Sequence, residues 1–401
     1  MLYASGLPTR EVAQLVGLSR SRTRFWRRQF TQKGMTLFTP AQPITSQAEA
    51  RLTEAAPSSG AAITSKMILD VNQLTSSELE VLAGLKSPGL APNDSLAEAG
   101  RKIFRYHFYQ MLLHEEGTRS GENIEDLHDM RVATRRLRAA FDVFSEGFQI
   151  KATKPLLKGM RKTGQALGNV RDTDVFIEKA QIYIQNQLGG REEELQALTT
   201  AWRLQRDQNR MKMISYLNSE NYHIFKQRFC SFVSTVGAGT RQKEEGMMDH
   251  GQVRNVAPVI IYNRLAAVRE FESVIENASI QQLHALRIEF KKFRYALEFF
   301  REVLGKEINE VIGELKEIQD HLGNLNDAQV ATQILRDFLN QWDINQDGLP
   351  ANERRSPDPL IAYLSSKYRE RQELLEGFRP VWDRFNRAEL RQMVALSVGI
   401  L

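Results

Sequence analysis

The sequence predicts an all-α fold: a helical bundle of two pseudo-two-fold related halves, preceded by a small helix-turn-helix-like unit. Three observations carry this expectation. Residues 95–390 show apolar spacing of helical period and little strand signal. Within them LHDMRVATRRLRAAFDVF (127–144) returns in similar form as LHALRIEFKKFRYALEFF (283–300). Residues 1–34 are short, helical in pattern and strongly basic, with seven Lys+Arg against one acid, a net charge of +6.

Composition bounds the rest. The chain has 401 residues, 42% hydrophobic and 26% charged, an ordinary globular balance with room for two or three domains. Its single cysteine, Cys230, excludes an intramolecular disulfide and a multi-cysteine metal site. No apolar run is long enough to span a bilayer, and no secretory leader pattern opens the sequence, so a soluble, cytoplasmic protein is expected. Net charge is +5, so the 367 residues after the N-terminal unit sum to −1. A polyanion site in the body therefore requires local concentration of charge.

Taken in order, LPTREVAQLVGLSRSRTRFWRRQF reads as a helix-turn-helix. Ala13 suits close helix packing, Gly17 the turn, and Ser19 the cap of a second helix carrying Arg20, Arg22, Arg24, Arg27 and Arg28. It resembles the first helices of transposase-type or MerR-type DNA readers, which would make those arginines DNA contacts. The alternative is a basic helical hairpin that docks elsewhere. Residues 35–94, with TPAQP, APSSG and SPGLAPNDS, read as a largely irregular linker with one short helix near SSELEVLAGL. Residues 95–390 then divide into halves of about 95–235 and 255–390. Breaks are expected at EEGTRSGEN, LGNVRD, LGG, VGAG, GNLND and NQDGLPANERRSPDP, giving eight to ten helices.

The repeated helix carries the chemistry. His128, Arg131, Arg135 and Arg138 fall at i, i+3, i+7 and i+10 and share one stripe, beside an apolar stripe of Leu127, Met130, Thr134, Leu137 and Phe141. His284, Arg287, Lys291 and Arg294 form the same row in the second copy. Neighbours in such a row stand about 5–6 Å apart, a pitch that can track a chain of phosphates. Arginine supplies forked donors to phosphate oxygens, lysine a point charge, and imidazole one or two further donors. A solvated helix face is the plain alternative. Acids at i±4 are scarce, however, and the same charge register appears twice although intervening residues differ. Flanking helices add Arg105, Arg161, Arg264 and Lys316. In ALGNVRDTDV (166–175) and HLGNLNDAQV (321–330), Asp172 and Asp327 are expected to cap the following helix or orient an arginine of their own half.

Metal chemistry is not expected. The HD pair at 128–129 loses its aspartate in the repeat, where Ala285 stands, and there is no HExxH. DINQDG (343–348) imitates the start of a calcium loop, but Pro350 interrupts it and Arg354 occupies the position of the bidentate acid, so an acidic loop is expected. No catalytic residue and no cofactor are assigned.

The two H-x-x-R rows, each followed by LGNxxxDxxV or its near copy, resemble the CHAD family of histidine-bearing helical domains, over roughly 95–390. The resemblance implies two four-helix-type halves lining a central basic groove that binds inorganic polyphosphate. It implicates His128, Arg131, Arg135, Arg138, His284, Arg287, Lys291 and Arg294, with Arg105, Arg161, Arg264 and Lys316 around them. It also implies binding without catalysis, and association with polyphosphate granules. The second copy departs from the first at Asn326 for Arg171 and Gln329 for Asp174. The competing expectation is a DNA-binding regulator whose N-terminal unit reads DNA while the body senses a polyanion.

Overall fold

A serine hydroxyl starts the helical body: Ser95 Oγ accepts the Glu98 N–H and caps α1 (Leu96–Leu113). The computed structural model describes residues 86–241, 251–347, 349–350, 352 and 354–401, with backbone alone at 343–345 and 347. The helix-turn-helix reading of 1–34, with its five arginines, and the linker up to residue 85 lie outside the described residues. So does the short helix expected near SSELEVLAGL.

The described residues form twelve α-helices and no strand: α1, α2 (Glu115–Ser120), α3 (Ile124–Val143), α4 (Ile150–Gln187), α5 (Gln196–Leu217), α6 (Glu220–Ser234), α7 (Val253–Arg269), α8 (Ile280–Phe300), α9 (Ile308–Asp347), α10 (Asp358–Glu376), α11 (Phe378–Phe385) and α12 (Ala388–Val398). The count exceeds the eight to ten expected because α2 and α11 are helices of six and eight residues, too short to register as periods. None of the described helices is long and apolar enough to cross a membrane.

Two expected breaks are absent. LGNVRD and GNLND lie inside α4 and α9, helices of 38 and 40 residues. Glycine inside a helix costs about 1 kcal/mol relative to alanine. Burial of Leu167 and Val170 on α4, and of Leu322 and Leu325 on α9, outweighs that cost. Asp172 and Asp327 therefore cap nothing. The DINQDG segment is not a loop either: its first five residues continue α9. At EEGTRSGEN the first six residues form α2 and the chain turns only at Gly121, with φ of +72°; at LGG, Gly189 and Gly190 take φ of +60° and +83° and turn the chain from α4 towards α5.

The helices carrying the two rows are α3 and α8. Asn123 Oδ1 caps α3, and Ser279 with Gln282 forms a capping box on α8. Helix α3 packs between α1 and α4, as α8 packs between α7 and α9, and α3 and α8 pack on each other. Their C-terminal ends meet through aromatic rings, Phe144 lying 5.4 Å from Phe300 and 6.1 Å from Phe299. Phe104 of α1 stacks on Phe141 at 4.0 Å behind them. A second, smaller apolar cluster joins the far end of the α4–α5 pair to the α9–α10 pair. Ile184, Leu188, Leu198 and Trp202 gather there with Leu335, Leu360 and Tyr363.

The end of the expected linker is fixed to this body. Gly89 and Leu90 donate their N–H groups to the Glu302 carboxylate, and Lys102 donates to the Gly89 carbonyl.

Phe144 is fully buried where the row helices meet. Phe144→Ala is expected to lower stability by about 3–5 kcal/mol, seen as a lower urea midpoint at unchanged slope.

Candidate functional site

The two basic rows, 156 residues apart in sequence, come together on facing helices. The amine of Lys291 on α8 is half-buried. Burial first, then the charges of Arg287, Arg135, Arg294 and Arg131, hold its pKa down at about 7. Two of those guanidinium groups belong to α8 and two to α3. Arg287 is lowered too, by burial first and by Arg135 across the interface, against the opposing pull of Asp327.

The long helices restrain the row side chains. Arg131 donates to Asp172 Oδ1 at 2.9 Å and passes over Gly168, where a Cβ would come within 2.3 Å of Nη1. Arg138 passes Gly164. Arg294 donates through Nε to Gln319 Oε1 at 3.0 Å and through Nη1 to Glu298 at 2.6 Å. Gln319 is buried and its own amide donates to the Phe290 carbonyl, which fixes the acceptor. Arg287 runs beside Gly323 with its Nε buried and lacking a hydrogen-bond partner.

The histidines are held from the same helices by different means. Arg171 Nε donates to His128 Nδ1 at 3.4 Å, which leaves the ring proton on Nε2. His284 Nδ1 lies 2.8 Å from Asn326 Oδ1 and donates to it. The departure of Asn326 from Arg171 is thus a change of imidazole support. The departure of Gln329 from Asp174 is a change of brace: Asp174 accepts Arg206 of α5 at 2.9 Å, and Gln329 accepts Arg371 of α10 at 3.0 Å.

Of the two acids singled out in the sequence, Asp172 orients an arginine of its own half. Asp327 instead accepts Lys179 of α4 at 3.0 Å, linking one long helix to the other. Arg136 and Lys292, matched in the repeat, pair with Glu298 and Glu289.

Arg161 and Lys316 are exposed on α4 and α9, one turn before Gly164 and Gln319, and so flank the Arg138 and Arg294 ends of the rows. Arg105 and Arg264 stand on α1 and α7, outside the charges that dominate at Lys291. Arg20, Arg22, Arg24, Arg27 and Arg28 lie outside the described residues. Sequence reasoning named Arg171 and Asn326 only as a difference between the two copies, and did not single out Gly164, Gly168 or Gln319 as site components. For Gly168, Arg171 and Asn326 the signal was the matched LGN stretches, read as loops and not as helix faces.

Gly168 and Gly323 separate space from conformation. Gly168→Ala is expected to push the Arg131 guanidinium off Asp172 and weaken binding of a polyanion several-fold. Gly323→Ala meets only ordinary contacts with Arg287 and is expected to leave binding near wild type. Titrating both variants with one polyanion, with circular dichroism as a check on folding, tests the difference.

The fold and sequence have relatives. The CHAD domain matches residues 102–336, more than half of the chain. The CHAD domain from the plant Ricinus communis superposes with a TM-score of 0.51 at 20% identity, over 78% of this chain and 94% of that one. PptA from Streptomyces chartreusis gives 0.53 at 14% identity, over 72% and 100%. Uncharacterized proteins from two strains of Mycobacterium tuberculosis are 24% identical over 275 residues, 65% of this chain. The chain spans about half the length of those curated relatives. With the domain matched across the two row helices and the all-α architecture shared with a solved CHAD structure, the chain belongs to the CHAD domain family.

Proposed function

We propose that this protein binds inorganic polyphosphate between the rows on α3 and α8, without acting on it chemically. The observation that carries the reading is the convergence of Arg131, Arg135, Arg287 and Arg294 on Lys291. Such crowding opposes folding unless a ligand supplies the counter-charge, and a linear polyanion supplies one negative charge per phosphate. Arginine forks held at fixed angles by Asp172 and Gln319 suit tetrahedral phosphate oxygens better than a diffuse basic surface would. His128 and His284 add donors at the row heads, and Arg161 and Lys316 extend the track. We read the two rows as an internal duplication. The matched positions 168/323, 171/326 and 174/329 serve equivalent side chains in the two halves.

Affinity of this kind comes largely from counterion release. It is expected to fall about a thousandfold or more between 50 and 200 mM salt if six or more phosphates are engaged. The deciding titration sets long-chain polyphosphate against duplex DNA of equal total charge, across a salt series. Tight polyphosphate binding with weak DNA binding supports a shaped site; equal binding of both rejects it. The Arg131→Ala/Arg287→Ala double variant is expected to lose at least about tenfold in affinity, one charge-assisted hydrogen bond or more.

A second reading has its own observation, the net +6 of residues 1–34. If this unit reads DNA, deleting it is expected to abolish duplex binding and leave polyphosphate binding intact. Absence of duplex binding by the full-length chain ends that reading.

A further inference from the structure

We propose that the site takes up a proton together with its polyanion, and that Lys291 is the residue that receives it. This rests on the polyphosphate reading of the same site. Lys291 sits midway along the α8 row, between Arg287 one turn before it and Arg294 one turn after. Arg131 and Arg135 approach from α3, and each of the four charges that bear most on it is a guanidinium. Among the described residues no hydrogen bond or ion pair engages its amine, while the acids nearby are committed elsewhere. Asp172 of α4 accepts Arg131, Asp327 of α9 accepts Lys179, and Glu298 of α8 accepts Arg294. His128 and His284 head the rows, tied to Arg171 and Asn326.

The chemistry follows from this placement. In the empty site an ammonium at Lys291 adds a fifth positive charge to four that cannot lose theirs. With the amine's pKa held at about 7, much of it is neutral at physiological pH. A bound phosphate chain reverses the local potential and returns the amine towards its ordinary value near 10.4. The Nζ lone pair then takes a proton from solvent and donates N–H bonds to phosphate oxygens. The sign is fixed: the bound form holds the extra proton, so affinity falls as pH rises from about 7 towards 10. The limit is tenfold per pH unit for one coupled proton. Below pH 7 the amine is charged in both states and the dependence fades.

Calorimetric titration of the full-length chain with long-chain polyphosphate tests this at pH 8, in two buffers of different ionisation enthalpy. Long chains keep titrating terminal phosphates few. The expected result is uptake approaching one proton per occupied site, and its disappearance in Lys291→Arg, whose affinity no longer changes between pH 7 and 9. Binding without proton uptake overturns the proposal and leaves the polyphosphate reading standing, as does uptake that persists in Lys291→Arg. No polyphosphate binding at all overturns both. A second measurement needs neither ligand nor variant: acetic anhydride labelling of the free protein, read by mass spectrometry across pH. Lys291 is expected to reach half-maximal labelling near pH 7, well below free lysine side chains in a reference peptide. A Lys291 profile matching theirs overturns the proposal.

Discussion

Mutual repulsion between the two basic rows is the constraint around which the rest of the structure is arranged. Two unit charges 5 Å apart repel by about 3 kcal/mol at the effective dielectric of a protein surface, and the rows put several such pairs side by side. Apolar burial holds them there. Phe104, Phe141, Phe144, Phe299 and Phe300 fuse the row helices behind the charges, while the Ile184–Trp202–Tyr363 cluster ties the far ends of the long helices. Between these two apolar anchors the polar side chains of α4 and α9 orient cations without neutralising the group as a whole.

The restraints on the two rows correspond in position and differ in chemistry. Gly164 on one side and a buried amide, Gln319, on the other lie beside the last arginine of each row, Arg138 and Arg294. Arg171 donates to one imidazole, and Asn326 accepts from the other. His128 therefore presents an Nε2 proton whatever the solution conditions that keep Arg171 in place, whereas neutral His284 presents an acceptor. The two row heads therefore differ both in charge, Arg171 against Asn326, and in hydrogen-bond direction.

Much of this was legible in sequence because it is local. The i, i+3, i+7, i+10 stripe fixed which cations share a face, and the repeat announced that two such faces exist. What sequence reading missed is nonlocal. Leu-Gly-Asn followed by Asp is also the chemistry of a turn, and only the demand of Arg131 for space across 37 residues explains why Gly168 sits inside a helix. Asp172 meets Arg131 over 41 residues and Lys179 meets Asp327 over 148. No periodicity encodes such pairings. The stop at DINQDG was misplaced for a related reason: polar, acidic composition reads as loop, yet five of its residues extend a 40-residue helix. The N-terminal unit lies outside the described residues.

Lys291, left without a carboxylate among four guanidinium groups, also bears on how long the molecule survives. A fold that carries its ligand's counter-charge in advance is least stable when vacant, because every cation in the cluster pushes on its neighbours with nothing in between. On the proposed polyphosphate reading, occupancy would by mass action lower the unfolded fraction open to proteases. Abundance of the protein would track the supply of its polyanion, with no dedicated regulator needed.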